Sequence, residues 1–310
     1  MNSELAKLSE WFAHNKLTLN YEKLEYIDFS KLTCSPQDSL VALQIDNYQI
    51  REVSESKFLG VYIDKNVSWR GHISKIVSKL SQTVGIIGKA RGFMQEPQLL
   101  QLYNTMVLPH LQYCLINWGN FRGDNNVKLR DKLFNLQKTF VRIITASHRL
   151  SHTDPLFAKL RILKIDDLYT QSVRMFSFHL FQDTLPGGIS PIFQKANHPH
   201  DTRGTKSNIF VSHSDNRSIK HIAPKTWNAL PSSLKRCPSI ASFKDNSKVD
   251  FIRTYSKFSC NRRPCPSCSV WTSTPSAIPK WHQYPYPCPP SWFLLFYPFI
   301  SILNLALAQF

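Results

Sequence analysis

Near His72 the hydrophobic period of this chain changes, and that change limits the folds open to it. Ahead of His72, an amphipathic helix from Met1 to Asn15 sets Leu5, Leu8, Trp11 and Phe12 on one side. Short extended pieces then follow at Lys16 to Leu19, Glu25 to Phe29, Val41 to Ile45 and Lys57 to Ile63. Asp46-Asn47 lies between two apolar runs and is turn chemistry, which predicts a hairpin. Beyond His72 the apolar residues recur at helical spacing, predicting helices near His72 to Lys89, Pro97 to Val107, Pro109 to Trp118, Val127 to Ala146 and Ile165 to Gln182. The last of these stops before Leu185-Pro186-Gly187-Gly188, a strong breaker. The expected fold class is therefore α+β: a small helix-plus-hairpin piece over residues 1–71, then a mainly α-helical region over 72–251.

The helix expected at Val127 to Ala146 carries the clearest division of labour. Leu129, Leu133, Leu136, Phe140, Ile143 and Ile144 share one face, while Lys128, Arg130, Lys132, Lys138 and Arg142 occupy the others. An apolar stripe of this kind is core, and a basic flank can follow a phosphate backbone. Charge across the whole chain agrees: 38 Lys and Arg against 21 Asp and Glu give a formal +17. Such a bias attracts polyanions, nucleic acid or an anionic lipid surface, and says nothing about fold.

Between Gln194 and Arg217 the sequence turns polar and basic and reads as a loop, after which Ala223 to Phe251 resumes an ordered segment around Trp227 and Leu230. Residues 252–290 are rich in Pro, Ser and Cys and read as disordered. Residues 291–310 form a hydrophobic tail, with 19 uncharged positions from Trp292 to Phe310, long enough to span a bilayer as an anchor. The seven cysteines, at 34, 114, 237, 260, 265, 268 and 288, follow no secretory leader, so a reducing intracellular compartment, cytoplasm or nucleus, is expected rather than a disulfide framework.

Two blocks of residues carry a resemblance. The run Trp11-Phe12-Ala13-His14-Asn15-Lys16-Leu17-Thr18-Leu19-Asn20-Tyr21-Glu22-Lys23 is similar to the segment that follows the catalytic hairpin in jockey-like, non-LTR (LINE-type) retrotransposon reverse transcriptases. Phe58-Leu59-Gly60-Val61-Tyr62-Ile63-Asp64, followed by Trp69 and His72-Ile73, resembles the hairpin and helix start that close the palm there. Downstream, Leu108-Pro109-His110-Leu111-Gln112-Tyr113-Cys114, Trp118-Gly119, Leu136-Gln137-Lys138 and Arg142-Ile143-Ile144 resemble the thumb segment, a region that some family descriptions name after the N-terminal part of the alkylated-DNA repair protein AlkB. The resemblance spans about Leu5 to Phe251.

What it implies is an RNA-directed DNA polymerase cut down to the end of its palm and its thumb. Lys23 falls on the palm lysine that stands near the triphosphate and can protonate the leaving pyrophosphate. Phe58, Leu59 and Gly60 fall on the region that holds the primer end; apart from the resemblance, Lys23 reads as an exposed lysine and Phe58 and Leu59 as core packing. Lys128, Lys132, Lys138 and Arg142 would contact phosphates of an RNA–DNA duplex. The intact family enzyme uses Mg²⁺ held by carboxylates of an earlier palm strand and of an aromatic-x-Asp-Asp hairpin, and neither element occurs here. No metal or cofactor is expected to be retained, and the missing palm and fingers would have to be supplied in trans.

Three other patterns compete with that reading. Asp166-Asp167 lacks the preceding aromatic and reads as a helix start, where acidic residues favour the N-terminal dipole. Cys260, Cys265, Cys268 and Cys288, with His282, have iron–sulfur or zinc spacing but lie among prolines. His152-Thr153-Asp154 with His213 or His221 mimics the facial triad of Fe(II)/2-oxoglutarate dioxygenases, which needs a jelly roll that the helical surroundings do not predict. Two non-enzymatic readings also stand: a basic binding protein held to a membrane by residues 292–310, and a nonfunctional translation product.

Overall fold

The computed structural model describes residues 2–29, 42–121, 124–193, 208–211 and 218–257. Helices dominate, with small two-stranded sheets, so the chain is α+β. It divides into two compact units between Ile76 and Val77, inside a helix that starts at Arg70. The helical region was expected from residue 72.

In the first unit, α1 (Asn2–His14) places Glu4 in its first turn and His14 in its last, the charge order the helix dipole favours. Lys16 closes it with a left-handed φ of 55°. The Lys16 N–H donates to the Ala13 carbonyl (3.0 Å) and the Leu17 N–H to that of Phe12 (2.9 Å), a Schellman pattern. Lys16 to Leu19, expected to be extended, is therefore a helix cap and the chain leading from it rather than a strand. A single 3₁₀ turn, Tyr21–Lys23, leads into β1 (Glu25–Tyr26).

Three strand pairs follow. β2 (Gln44–Ile45) and β3 (Tyr48–Gln49) form the hairpin predicted at Asp46-Asn47, and both turn residues have positive φ, 48° and 65°, as a type I′ turn requires. The Asp46 carboxylate also accepts from the Ser9 hydroxyl (2.6 Å) and the Tyr21 hydroxyl (2.9 Å), tying the turn to α1 and the 3₁₀ turn. β1 pairs in parallel with β4 (Arg51–Glu52), and Arg51 bonds its partner Glu25 at 2.6 Å. β5 (Glu55–Phe58) and β6 (Val61–Asp64) form the second hairpin.

α2 (Arg70–Ala90) begins after a loop held by Asp64. Its carboxylate accepts the Ser68 and Trp69 N–H groups (3.0 and 3.1 Å), which fixes Val67 and Trp69 at φ of 49° and 60°. Such φ values are strained for a β-branched or aromatic residue. Ile73, Ile76, Leu80, Ile87 and Ala90 follow at helical spacing and are buried.

The second unit adds α3 (Glu96–Met106), α4 (Leu108–Gln112), α5 (Leu115–Trp118), α6 (Asp124–Ile144), α7 (Asp154–Leu160), α8 (Ile165–Phe181), α9 (Ile219–Asn228), α10 (Ser232–Lys235) and α11 (Ile240–Ser256). The helix expected over Pro109 to Trp118 is broken in two. Tyr113 is extended and Cys114 left-handed (φ 51°), and the Tyr113 carbonyl, freed from the helix ladder, accepts the Trp118 indole N–H at 2.8 Å. A Cβ on Gly119 would stand 2.6 Å from the Leu115 carbonyl oxygen, so only glycine fits beside that turn. α11 continues to Ser256, past the boundary expected at residue 251.

Two sets of contacts hold this unit together. Around α8, Phe178 meets Phe243 at 4.7 Å between ring centroids and Phe181 stacks on Trp227 at 4.7 Å, within a buried cluster that includes Ile209, Leu230 and Leu234. Asn228 bonds both the N–H and the carbonyl of Ile209, at 3.0 and 2.9 Å, so that part of the expected polar loop is anchored to α9. Nearer α6, the fully buried Gln137 donates from Nε2 to the Tyr103 hydroxyl and the Leu163 carbonyl (both 3.2 Å) and accepts the Ile165 N–H at 2.8 Å. One amide thus joins α3, α6 and the start of α8.

Candidate nucleic-acid interface

Strand register fixes the most unusual surface of the first unit. Phe58 pairs with Val61, which leaves Leu59 and Gly60 as a two-residue loop with φ of 46° and 86°. Hairpin loops of this kind favour Asn, Asp or Gly, because a left-handed backbone crowds a Cβ by about 1–2 kcal/mol. Gly60 satisfies the turn; Leu59 does not. The apolar pair at the tip is also out in solvent, Phe58 and Leu59 each 49 % exposed, whereas Val61 behind them is fully buried. Core packing, the ordinary explanation for Phe58 and Leu59, is thereby excluded.

Behind the tip lies a positive charge that sequence reasoning missed. Lys57 and Tyr62 are cross-strand partners, and the Tyr62 ring has the Lys75 ammonium 3.2 Å from its centroid and that of Lys57 at 5.8 Å. Strand alternation would have found the Lys57–Tyr62 pair; Lys75 arrives from α2 and has no local signal. Lys75 also contacts Glu55 at 3.5 Å. His72 is buried, and burial, then the Lys75 charge, lowers its pKa to about 4. Lys23 is exposed in its 3₁₀ turn, with its N–H given to the Asn20 carbonyl at 3.1 Å.

On α6 the four expected phosphate contacts fall into two kinds. Each helical residue advances about 100°, so Lys138, Arg142, Lys128 and Lys132 share one arc, opposite the buried Leu133, Gln137, Phe140, Val141 and Ile144. Lys128 and Lys132 are exposed. Arg142 instead donates from Nε and Nη2 to the Ser151 carbonyl (3.2 and 2.9 Å), and Lys138 sits 4.1 Å over the Phe134 ring. Partial burial lowers the pKa of both. Arg130 is bound bidentately to Asp166, at 2.6 Å from Nη2 and 3.0 Å from Nε, and hydrogen bonding to that carboxylate is the main reason its pKa is raised.

No protein-family model, curated protein or solved structure matches this chain.

The competing patterns resolve into local structure wherever they are described. Asp166 and Asp167 occupy the first turn of α8, one holding Arg130 and the other accepting the Tyr255 hydroxyl. Burial raises the Asp167 pKa. Asp154 is in the first turn of α7 and pairs with Lys164 at 2.9 Å, and the sheets of the described residues are all two-stranded, so the jelly roll of an iron dioxygenase does not surround the His152-Thr153-Asp154 motif. His213, Cys260, Cys265, Cys268, His282, Cys288 and the tail from Trp292 to Phe310 lie outside the described residues. Among the described residues no group of three His, Cys, Asp or Glu could hold a metal, and no helix is long and apolar enough to cross a membrane.

Proposed function

We propose that this chain is a fragment of an RNA-directed DNA polymerase of the non-LTR retrotransposon type, from the end of the palm through the thumb. It lacks the catalytic aspartate motif and acts at most by binding an RNA–DNA duplex. The observation that carries the reading is the β5–β6 hairpin tip, where Leu59 gives up both a favourable backbone and burial. A sequence that departs from turn preference and from hydrophobic burial at one position is displaying that side chain. In this role Phe58 and Leu59 press on the sugar and base at a primer terminus while Gly60 keeps the turn tight. Lys57 and Lys75 supply positive charge behind them.

The exposed Lys128 and Lys132 support phosphate contacts along α6, with Arg142 and Lys138 stiffened by their neighbours and contributing field more than direct bonds. Asp64 is occupied with the Ser68 and Trp69 amides, and Asp166 and Asp167 with Arg130 and Tyr255, so none of these carboxylates is set up as an Mg²⁺ ligand. Leu8 and Trp11 on α1 are exposed, which suits a helix face that the remaining palm and fingers, supplied in trans, would cover.

Primer extension on an RNA template with the purified full chain and Mg²⁺ tests the reading. The expected result is a primer bound and not extended; extension would require a carboxylate site this account does not contain.

A further inference from the structure

The charge behind the hairpin tip is already engaged within the chain. Lys75 lies against the Tyr62 ring, 3.2 Å from its centroid, and 3.5 Å from Oε1 of Glu55. Glu55 and Lys57 alternate along β5 onto the face that carries Tyr62, so the carboxylate and both ammonium groups meet on one side of the hairpin.

Two features accommodate Glu55 there at a cost. Its cross-strand partner is Asp64, and like charges directly opposite one another repel. Its carboxylate also rests against Gly71 at the start of α2, where a Cβ would overlap Glu55 Oε2 and stand 2.8 Å from its Cδ. No positive φ calls for glycine at that position, and glycine within a helix is less favourable than alanine. What attracts the carboxylate is Lys75 together with a helix start that has no acidic residue in its own first turn, and a phosphate is drawn to both in the same way. The contact is loose, 3.5 Å where Arg51 closes on Glu25 at 2.6 Å and Lys159 on Glu96 at 2.7 Å. The Lys75 and Glu55 side chains are 51 % and 35 % exposed, so an arriving anion can reach them.

We propose that Glu55 is a built-in competitor for Lys75. It occupies the ammonium until a phosphate near the primer end displaces it, and so sets a threshold for engagement of the hairpin tip. The inference rests on the polymerase-fragment reading of that tip, and adds a regulating residue to the surface supplied by Phe58, Leu59 and Gly60.

The test is binding of the full chain to an RNA–DNA primer–template, for wild type, Glu55→Gln, Gly71→Ala, Lys75→Gln and Glu55→Gln/Lys75→Gln. Glu96→Gln, which removes a carboxylate from a different ion pair, is the comparison. Glu55→Gln should tighten binding by about 1.5- to 5-fold, the range an exposed ion pair spans, and Glu96→Gln should not. Gly71→Ala should tighten it too, with net charge unchanged, because the added methyl displaces the carboxylate. Lys75→Gln should remove most of the gain from Glu55→Gln. Labelling of Lys75 by acetic anhydride, read by mass spectrometry without nucleic acid, should be faster in Glu55→Gln and Gly71→Ala than in wild type. Glu55→Gln that binds no tighter than wild type, a gain that persists in full beside Lys75→Gln, or unchanged labelling of Lys75 overturns the proposal. Wild type that binds no primer–template, while labelling still rises in the variants, instead refutes the reading of the hairpin tip and the role of Glu55 with it.

Discussion

Replacing Gln137 by methionine probes a buried polar link within the second unit. The substitution keeps volume and removes one donor group and one acceptor. It leaves the Tyr103 hydroxyl, the Leu163 carbonyl and the Ile165 N–H without the partners they now have at 3.2, 3.2 and 2.8 Å. A buried polar group stranded in this way costs about 1–3 kcal/mol, so three groups at the low end lose about 3 kcal/mol. Removing the amide from a fully buried position returns roughly 1 kcal/mol of desolvation, for a net loss of about 2–3 kcal/mol. With an m-value of about 1–3 kcal/mol per molar urea, the midpoint should fall by about 1 M.

Urea unfolding followed by near-ultraviolet circular dichroism reads this directly, because Tyr103, Trp118 and Phe140 are buried in the same unit. Adding Tyr103→Phe to Gln137→Met removes one stranded hydroxyl, so the double variant should lose less than the sum of the singles. A midpoint change below about 0.3 M, or strict additivity, would refute the assignment of Gln137 as the link between α3, α6 and α8.

Other perturbations separate display from stability. Leu59→Asn should stabilise the first unit by about 1 kcal/mol, since Asn tolerates the left-handed backbone, while weakening primer–template binding; lower stability would mean that Leu59 packs. His72 stays neutral in the folded chain down to about pH 4, but in the unfolded chain it takes up a proton near pH 6.5. Its contribution is intact above pH 6.5, is lost as pH falls towards 4, and amounts to about 3 kcal/mol at most; His72→Gln should flatten the stability profile across that window.

Period and turn chemistry made much of the fold legible. The spacing of Leu129, Leu133 and Phe140 announced α6, and Asp46-Asn47 announced the first hairpin, because both signals are local. Leu185-Pro186-Gly187-Gly188 marked the end of α8 for the same reason. α8 closes at Asp183 (φ 57°), with the Thr184 N–H reaching the His179 carbonyl at 3.0 Å. Non-local choices were hidden. Gln137 and Val141 turn the buried face of α6 away from Leu129, Leu136 and Ile143, and nothing in sequence marks a glutamine as a core link.

At the candidate site the residue types were legible and their surroundings were not. The sequence offered Lys128, Lys132, Lys138 and Arg142 as equals, whereas Ser151 and Phe134, reached through folding, occupy the last two. Phe58 and Leu59 were indistinguishable from core residues until strand register put them at the tip of a turn.

The salt dependence of binding to an RNA–DNA primer–template, compared between wild type and Lys128→Ala/Lys132→Ala, tests the central claim most directly. Each phosphate that the protein no longer neutralises should reduce the slope of log affinity against log salt by about 0.7–0.9, so the double variant should show a slope shallower by about 1.5, with unchanged unfolding. Wild-type affinity that barely changes with salt, or a slope that the two substitutions leave intact, would contradict a phosphate-binding face on α6.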